Sequence, residues 1–141
     1  ILDTDMKTLA ELPDAEPYRN LHRRVAQLSA DDDLATTIVT YEEQTRGWMA
    51  SLAKMRDLEG QIKAYARLKR HLLNYVDFIV LDFDDASARL FEKLKKQKIR
   101  SGTADLKIAA ATIAHGGILL TGNFQHFSKV PGLRVEDWSR P

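Results

Sequence analysis

The stretch Ser101-Gly-Thr-Ala-Asp-Leu-Lys-Ile-Ala-Ala-Ala111 is closed by Gly116-Gly117 and followed at once by Ile118-Leu-Leu-Thr121. Ser101 and Thr103 are residue types that cap helix starts, and a glycine pair is a stop signal. Between them Leu106, Ile108, Ala109, Ala110, Ile113 and Ala114 form an apolar body, whose small side chains allow close packing on a sheet. The run Ile118 to Thr121 predicts a buried strand. Asp105 therefore falls in the first turn of a buried helix that feeds a buried strand. An acid there also suits the helix dipole, so its meaning depends on where the rest of the chain puts other acids.

Upstream, Ile1-Leu2-Asp3 reads as the end of a first strand, with Asp3-Thr4-Asp5 at its carboxyl end. Met6 to Leu12 predicts a short helix ended by Pro13, and Pro17 starts a second that runs to about Ser29. Asp31-Asp32-Asp33 is a solvated break. Leu34-Ala-Thr-Thr-Ile-Val39, rich in β-branched residues, predicts the second strand. Thr40-Tyr-Glu-Glu43 then has the spacing of a capping box, with Thr40 as cap and Glu43 reaching back. Two helical stretches follow, one through Trp48, Met49, Leu52 and Met55, the other from about Leu58 to Asn74. They can form a hairpin standing off the sheet. Phe78-Ile-Val-Leu81 predicts the third strand, and Asp84 or Asp85 caps the helix after it. Lys95, Lys96, Lys98 and Arg100 form a basic cluster just before the central helix. Leu133-Arg-Val135 predicts a last short strand, with Trp138 packed near the terminus.

Strands alternating with helices argue for an α/β fold of three layers, α/β/α, around a central parallel sheet. The 141 residues fit one domain, 1–141, with a real core. A net charge of +1 announces no bulk basic field, so any polyanion site must be local. There is no cysteine, which excludes disulfides and thiolate metal sites and suits a reducing cytoplasm. No stretch is apolar enough to span a membrane, so no membrane partner is expected. No charged segment precedes the opening apolar run, so no signal peptide is expected.

In open parallel sheets, sites form beyond the carboxyl ends of the strands. Asp3, Glu43 and Asn123 all fall just past a strand, and right-handed crossovers bring the start of the Asp105 helix to the same side. Three carboxylates about 5 Å apart, at an effective dielectric near 20, repel by roughly 3 kcal/mol per pair. The total of about 10 kcal/mol rivals a domain's whole stability of roughly 5–15 kcal/mol. Protonation, separation or a cation must relieve it. An all-oxygen set without clustered histidine suits Mg²⁺ or Mn²⁺ better than zinc.

Taken in order, five pieces resemble the PIN domain of VapC-type toxin ribonucleases. They are Leu2-Asp3-Thr4-Asp5, Thr40-Tyr-Glu-Glu43-Gln-Thr-Arg-Gly47, Gly102-Thr-Ala-Asp105-Leu-Lys-Ile-Ala-Ala110, Thr121-Gly-Asn123 with His126-Phe127, and Pro131-Gly-Leu-Arg-Val-Glu-Asp-Trp138. The resemblance runs over nearly the whole chain. It implies a PIN-like fold, with the hairpin as a helical insertion, and a Mg²⁺- or Mn²⁺-dependent endoribonuclease cutting RNA. It also implies a homodimer and a small antitoxin as partner. By motif, Asp3, Glu43 and Asp105 match the family's metal-holding acids. Glu42 is a rival to Glu43, but the spacing to Gly47 favours Glu43. Asn123 stands where many relatives carry Asp, and it keeps the ability to hold a water or phosphate without adding charge. Asp5, Thr4 and Thr121 are expected around these residues, and Lys95, Lys96, Lys98 and Arg100 are candidates for RNA contact. The region from about Arg56 to Asn74 is longer than in the shortest relatives and has no assigned role.

Each of these residues also has a structural reading. Glu43 can serve only the capping box and Asp5 only a helix start. His126 reads first as a loop histidine and second as a catalytic base. Two rival functions remain open in the sequence. In a phosphatase of the haloacid dehalogenase type, Asp3 would be nucleophile and Asp5 acid, but such an enzyme needs a late acid pair that Thr121-Gly-Asn123 does not offer. The other is a non-catalytic partner-binding domain.

Overall fold

The computed structural model describes residues 1–11 and 16–140. Among them the helices are α1 (Thr4–Leu9), α2 (Glu16–Val25), α3 (Ile38–Lys54), α4 (Leu58–Val76), α5 (Asp85–Lys96), α6 (Thr103–Ala114) and α7 (Phe124–Phe127). The strands are β1 (Ala35–Thr37), β2 (Ile79–Leu81), β3 (Ile118–Leu120) and β4 (Arg134–Glu136). The expected end of the first helix at Leu12 and Pro13 lies outside the described residues.

The sheet is parallel throughout. β1 pairs with β2 in the register Ala35 to Ile79, and β3 with β4 in the register Ile118 to Arg134. The expected first strand contributes one rung: Leu2 bridges Thr36 on one side and Leu120 on the other. Leu2 N–H donates to Ala35 O at 2.8 Å, and Asp3 N–H donates to Leu120 O at 3.1 Å. The order across the sheet is therefore β2, β1, Leu2, β3, β4.

Alternation along a strand places successive side chains on opposite faces. Ile1 and Leu119 join one core with Leu94 of α5 and Leu106, Ile108, Ala109 and Ala110 of α6. Leu2, Ile118 and Leu120 join the other, with Met6 of α1 and Leu21 of α2. The three-layer α/β/α architecture follows. Among the described residues no helix is long and apolar enough to cross a membrane.

α3 and α4 form the expected hairpin, locked by buried polar and aromatic contacts. Tyr41 stacks on His71 at 5.3 Å and meets Tyr75 edge-on at 4.8 Å. Tyr75 Oη donates to Gln44 Oε1 at 2.6 Å, and Gln44 Nε2 donates to Thr8 Oγ1 of α1 at 2.8 Å. Burial pushes the Tyr75 phenol above its ordinary value and His71 below its own.

Several boundaries differ from the sequence reading. Ile38 and Val39 are not strand; they are the first turn of α3. The cap is Thr37, whose Oγ1 accepts Thr40 N–H at 3.1 Å, so the capping box from Thr40 to Glu43 does not form. The β-branched pair reads as strand locally, but the helical turn buries Val39 in the α6 core. α6 starts after Gly102, without a side-chain cap from Ser101 or Thr103. α2 ends at Val25, short of Ser29. Asp84, by contrast, caps α5 as expected, accepting Ser87 N–H and Oγ–H at 2.8 Å each.

Leu2 is fully buried and is the only residue bridging both halves of the sheet among those described. Leu2→Ala is expected to cost about 2–5 kcal/mol, the range for emptying a core site. A urea unfolding curve checks this; a loss under about 1 kcal/mol would mean that the two halves are held together elsewhere.

Candidate active site

A pocket of about 160 Å³ opens beyond the carboxyl end of Leu2 and β3. The acids Asp3, Asp5, Glu43 and Asp105 line it, with Thr4 and Asn123, and Ile108 and Phe127 supply the apolar wall. All four residues expected to do chemistry, Asp3, Glu43, Asp105 and Asn123, thus face one space. Thr121 stands behind them.

Asp3 leaves the central rung and is only 3% exposed. Its Oδ1 caps α1 by accepting Met6 N–H at 2.8 Å. Burial is the main influence on its carboxyl and pushes it up to about 6; Asp5 and Asp105 add to the rise, while hydrogen bonds from Thr121 and Met6 oppose it. Glu43 lies in the second turn of α3, free of any capping duty. Its Oε2 accepts the Thr4 hydroxyl at 2.6 Å, a contact that spans the sheet edge from α1 to α3. Glu42, its rival, is exposed and bonds Arg46.

Asp105 sits in the first turn of α6, and Gly102 makes room for it. A Cβ at Gly102 would come within 3.2 Å of Asp105 Oδ2. The same oxygen lies 3.4 Å from His126 Nε2, which is itself 2.7 Å from Ser101 Oγ. The sequence alone presents Ser101 as a helix cap and His126 as a loop residue. The signal that joins them is the short helix α7, which the sequence reading does not contain. Asn123 is exposed at the start of α7, and its N–H donates to Thr121 Oγ1 at 3.0 Å. Thr121 is fully buried, and its hydroxyl also reaches Asp3.

The acids share a pocket without forming the tight cluster that the sequence suggests. Among the described residues no three His, Asp or Glu side chains form a group that could hold a metal ion as they stand. The reason is local. Thr4 draws Glu43 and Met6 N–H draws Asp3, so separate neutral donors hold these two carboxylates, while Asp105 lies beside the His126 ring at 3.4 Å. The four basic candidates lie outside the pocket. Lys95 and Lys96 end α5, Lys98 takes the left-handed φ of 52°, and Arg100 leads directly into Ser101.

A PIN-domain family model matches residues 17–133. A tRNA(fMet)-specific endonuclease VapC of Salmonella typhimurium is 30% identical over 102 residues, which cover 67% of this chain and 76% of that protein. Ribonuclease VapC1 of Haemophilus influenzae strain R2866 is 29% identical over 119 residues, 83% of each chain. Among solved structures, VapBC-1 from nontypeable Haemophilus influenzae matches with a TM-score of 0.74 at 25% identity, covering 99% of this chain and 97% of that one. VapBC2 from Rickettsia felis, bound to a DNA fragment from its promoter, shares the fold with a TM-score of 0.71 at 20% identity, over 97% of this chain and 96% of that one. The family match extends over most of the chain, and the fold agrees with it: the protein belongs to the PIN-domain family, with VapC-type ribonucleases among its relatives.

Proposed function

We propose that this protein is an endoribonuclease toxin of VapC type, cutting RNA with Mg²⁺ or Mn²⁺ in the acid pocket and restrained by a small antitoxin. It acts as one PIN domain over 1–141, as a homodimer, in the cytoplasm. The observation that carries the reading is the pocket of oxygen donors at the carboxyl edge of a parallel sheet, in a chain whose relatives are VapC ribonucleases. Support for the dimer comes from α4, where Leu58, Ile62 and Tyr65 are 76%, 69% and 59% exposed on one face.

The donor set fits the ion. Mg²⁺ keeps several waters and needs only one or two direct carboxylates, so acids spread around a pocket can hold it through its hydration shell. Asp3, Glu43 and Asp105 are the residues that would do so. When bound, the ion would supply positive charge to the scissile phosphate and lower the pKa of the attacking water. The chain's own part is positioning. Thr4 holds Glu43, Met6 N–H and Thr121 hold Asp3, and His126, bonded to Ser101, stands beside Asp105. Asn123 offers an uncharged amide to a phosphate oxygen or a water. Ile108 and Phe127 exclude bulk water from one side of the pocket. Hydrolysis of RNA against a small phosphate ester, with and without Mg²⁺, tests the reading; turnover of the ester alone would favour the phosphatase alternative.

Asp105→Asn keeps the side chain's size and removes its charge. It is expected to lower RNA cleavage by orders of magnitude, weaken the rise in melting temperature with added Mg²⁺, and leave the metal-free fold within about 1 kcal/mol. Wild-type cleavage by this variant would remove Asp105 from the chemistry.

Asp3 gives a pH test in metal-free protein. Its carboxyl is raised from 3.8 to about 6 by folding, so the folded state holds the proton more tightly. Stability is then full below about pH 4 and falls as pH rises toward 6 and beyond, by roughly 3 kcal/mol in all. Asp3→Asn, which can still cap α1, should therefore stabilise the protein near pH 8 and hardly at all near pH 4. Urea titrations in EDTA at the two pH values measure the difference, and an equal effect at both would refute it.

Neutralising Lys95 and Lys96 should weaken RNA binding for all sequences and lower the salt slope by about 0.7 for each phosphate no longer neutralised. An unchanged slope would mean that the end of α5 is only a solvated face.

A further inference from the structure

α7 is a single turn that meets the acid pocket at both ends. Asn123, just before it, and Phe127, its last residue, both line that space. The turn is held from several sides. Asn123 O accepts His126 N–H at 3.0 Å and Phe127 N–H at 3.3 Å, and Asn123 N–H donates to Thr121 Oγ1 at 3.0 Å. His126 Nε2 lies 2.7 Å from Ser101 Oγ at the start of α6. Phe127 is 2% exposed and belongs to the core built around α6.

Phe124 is the exception on this turn. It is 45% exposed, belongs to neither core, and pairs with no other ring among the described residues. Single apolar side chains on a surface are ordinary; what sets this one apart is its place. Most of the other large exposed apolar residues are on α3 and α4. Residues three apart on a helix are neighbours, so Phe124 lies on the side of the turn that carries Phe127. Phe127 is pocket wall, and Phe124, one turn nearer to solvent, is at the rim. Across the bond from His126 to Ser101 the chain is basic. Arg100 precedes Ser101, and both Arg100 and Lys98 are exposed and make no ion pair among the described residues.

We infer that Phe124 is the platform on which an unpaired base of the RNA stacks beside the phosphate to be cut, with Lys98 and Arg100 meeting neighbouring phosphates. The inference rests on the nuclease reading above. An exposed ring close to unpaired cations is the combination that single strands use, because every base has a face to stack and every step carries a phosphate. The backbone bonds around Asn123 fix the ring's carrier before RNA arrives, so little ordering is left for binding to supply.

The test uses the full chain carrying Asp105→Asn, so that RNA is bound without being cut. Two labelled probes are titrated: a pool of single-stranded RNA of random sequence, and a strand of equal length built of abasic spacers, which keeps the phosphates and lacks the bases. Adding Phe124→Leu to this parent should weaken binding of the RNA pool by about five-fold or more. It should leave the salt slope unchanged, since no charge is lost, and leave the abasic strand bound as before. Phe124→Trp should restore the RNA affinity. Parent-like affinity of Phe124→Leu for the RNA pool would overturn the platform. So would a loss equal on both probes, and a melting curve and light scattering would then show whether the ring serves the fold or a second copy. If the wild type cuts RNA while Phe124→Leu binds like its parent, only the platform fails. If the wild type neither cuts nor binds RNA, the nuclease reading fails and the platform with it.

Discussion

Three backbone hydrogen bonds, Leu2 N–H to Ala35 O, Asp3 N–H to Leu120 O and Leu120 N–H to Ile1 O, hold the two halves of the sheet together. The rest of the site depends on them. Because the central strand is reduced to one rung, the chain must leave the sheet at once, and it leaves through Asp3. That residue caps α1 while its carboxyl stays at the sheet's edge, buried and raised in pKa. Thr36 Oγ–H donates to Leu2 O at 3.0 Å, tying the same rung sideways to β1. The position of the first acid is thus set by the sheet rather than by a loop, and α1 is attached to it rigidly.

The second acid is fixed by a different means. Glu43 is carried by α3, and α3 is referred to α1 twice: through Thr4 to Glu43, and through Thr8 to Gln44 and on to Tyr75 of α4. The two contacts are a full turn apart along α1 and use adjacent residues of α3, so they set the rotation of α3 as well as its distance. A buried polar relay of this kind costs stability unless every member is satisfied. Here the amide of Gln44 donates to one hydroxyl and accepts from another, so both of its ends are used. The helical hairpin, with no evident role in the sequence, is therefore part of what orients the site.

Much of this is legible in the residues, and the reasons differ from piece to piece. The apolar body from Leu106 to Ala114 and the strand after it are plain, because long apolar signals survive tertiary packing. The four pocket residues emerge from topology and motif order together, since neither alone brings Asp3 near Asp105. Thr37 cannot be preferred over Thr40 as cap, because both are threonines and Ile38-Val39 favours strand until its burial against α6 is known. Gly102 gives no side-chain cap, so its use at the start of α6 shows only when Asp105 folds back over it. The contact of Ser101 with His126 links residues 25 apart through a four-residue helix, too short for any periodicity to reveal.

Charge placement explains why the pocket stays acidic. Lys7 is in α1, one turn from Thr4, and could have neutralised the acids. It is instead fully buried, bonded to Glu11 and enclosed by the rings of Tyr75 and Phe78, each 4.5 Å from its Nζ. Arg46 is one turn from Glu43 but is held by Glu42 through two hydrogen bonds. Both cations nearest in sequence are thus given to other acids. Glu43 and Asp3 are left with hydroxyl and amide donors, which orient a carboxylate without cancelling its charge. A site neutralised by its own lysine would be more stable alone and would have less to offer a divalent cation. The observed arrangement keeps the stabilising ion pairs one helical turn away and leaves the charge where the sheet edge, α3 and α6 meet.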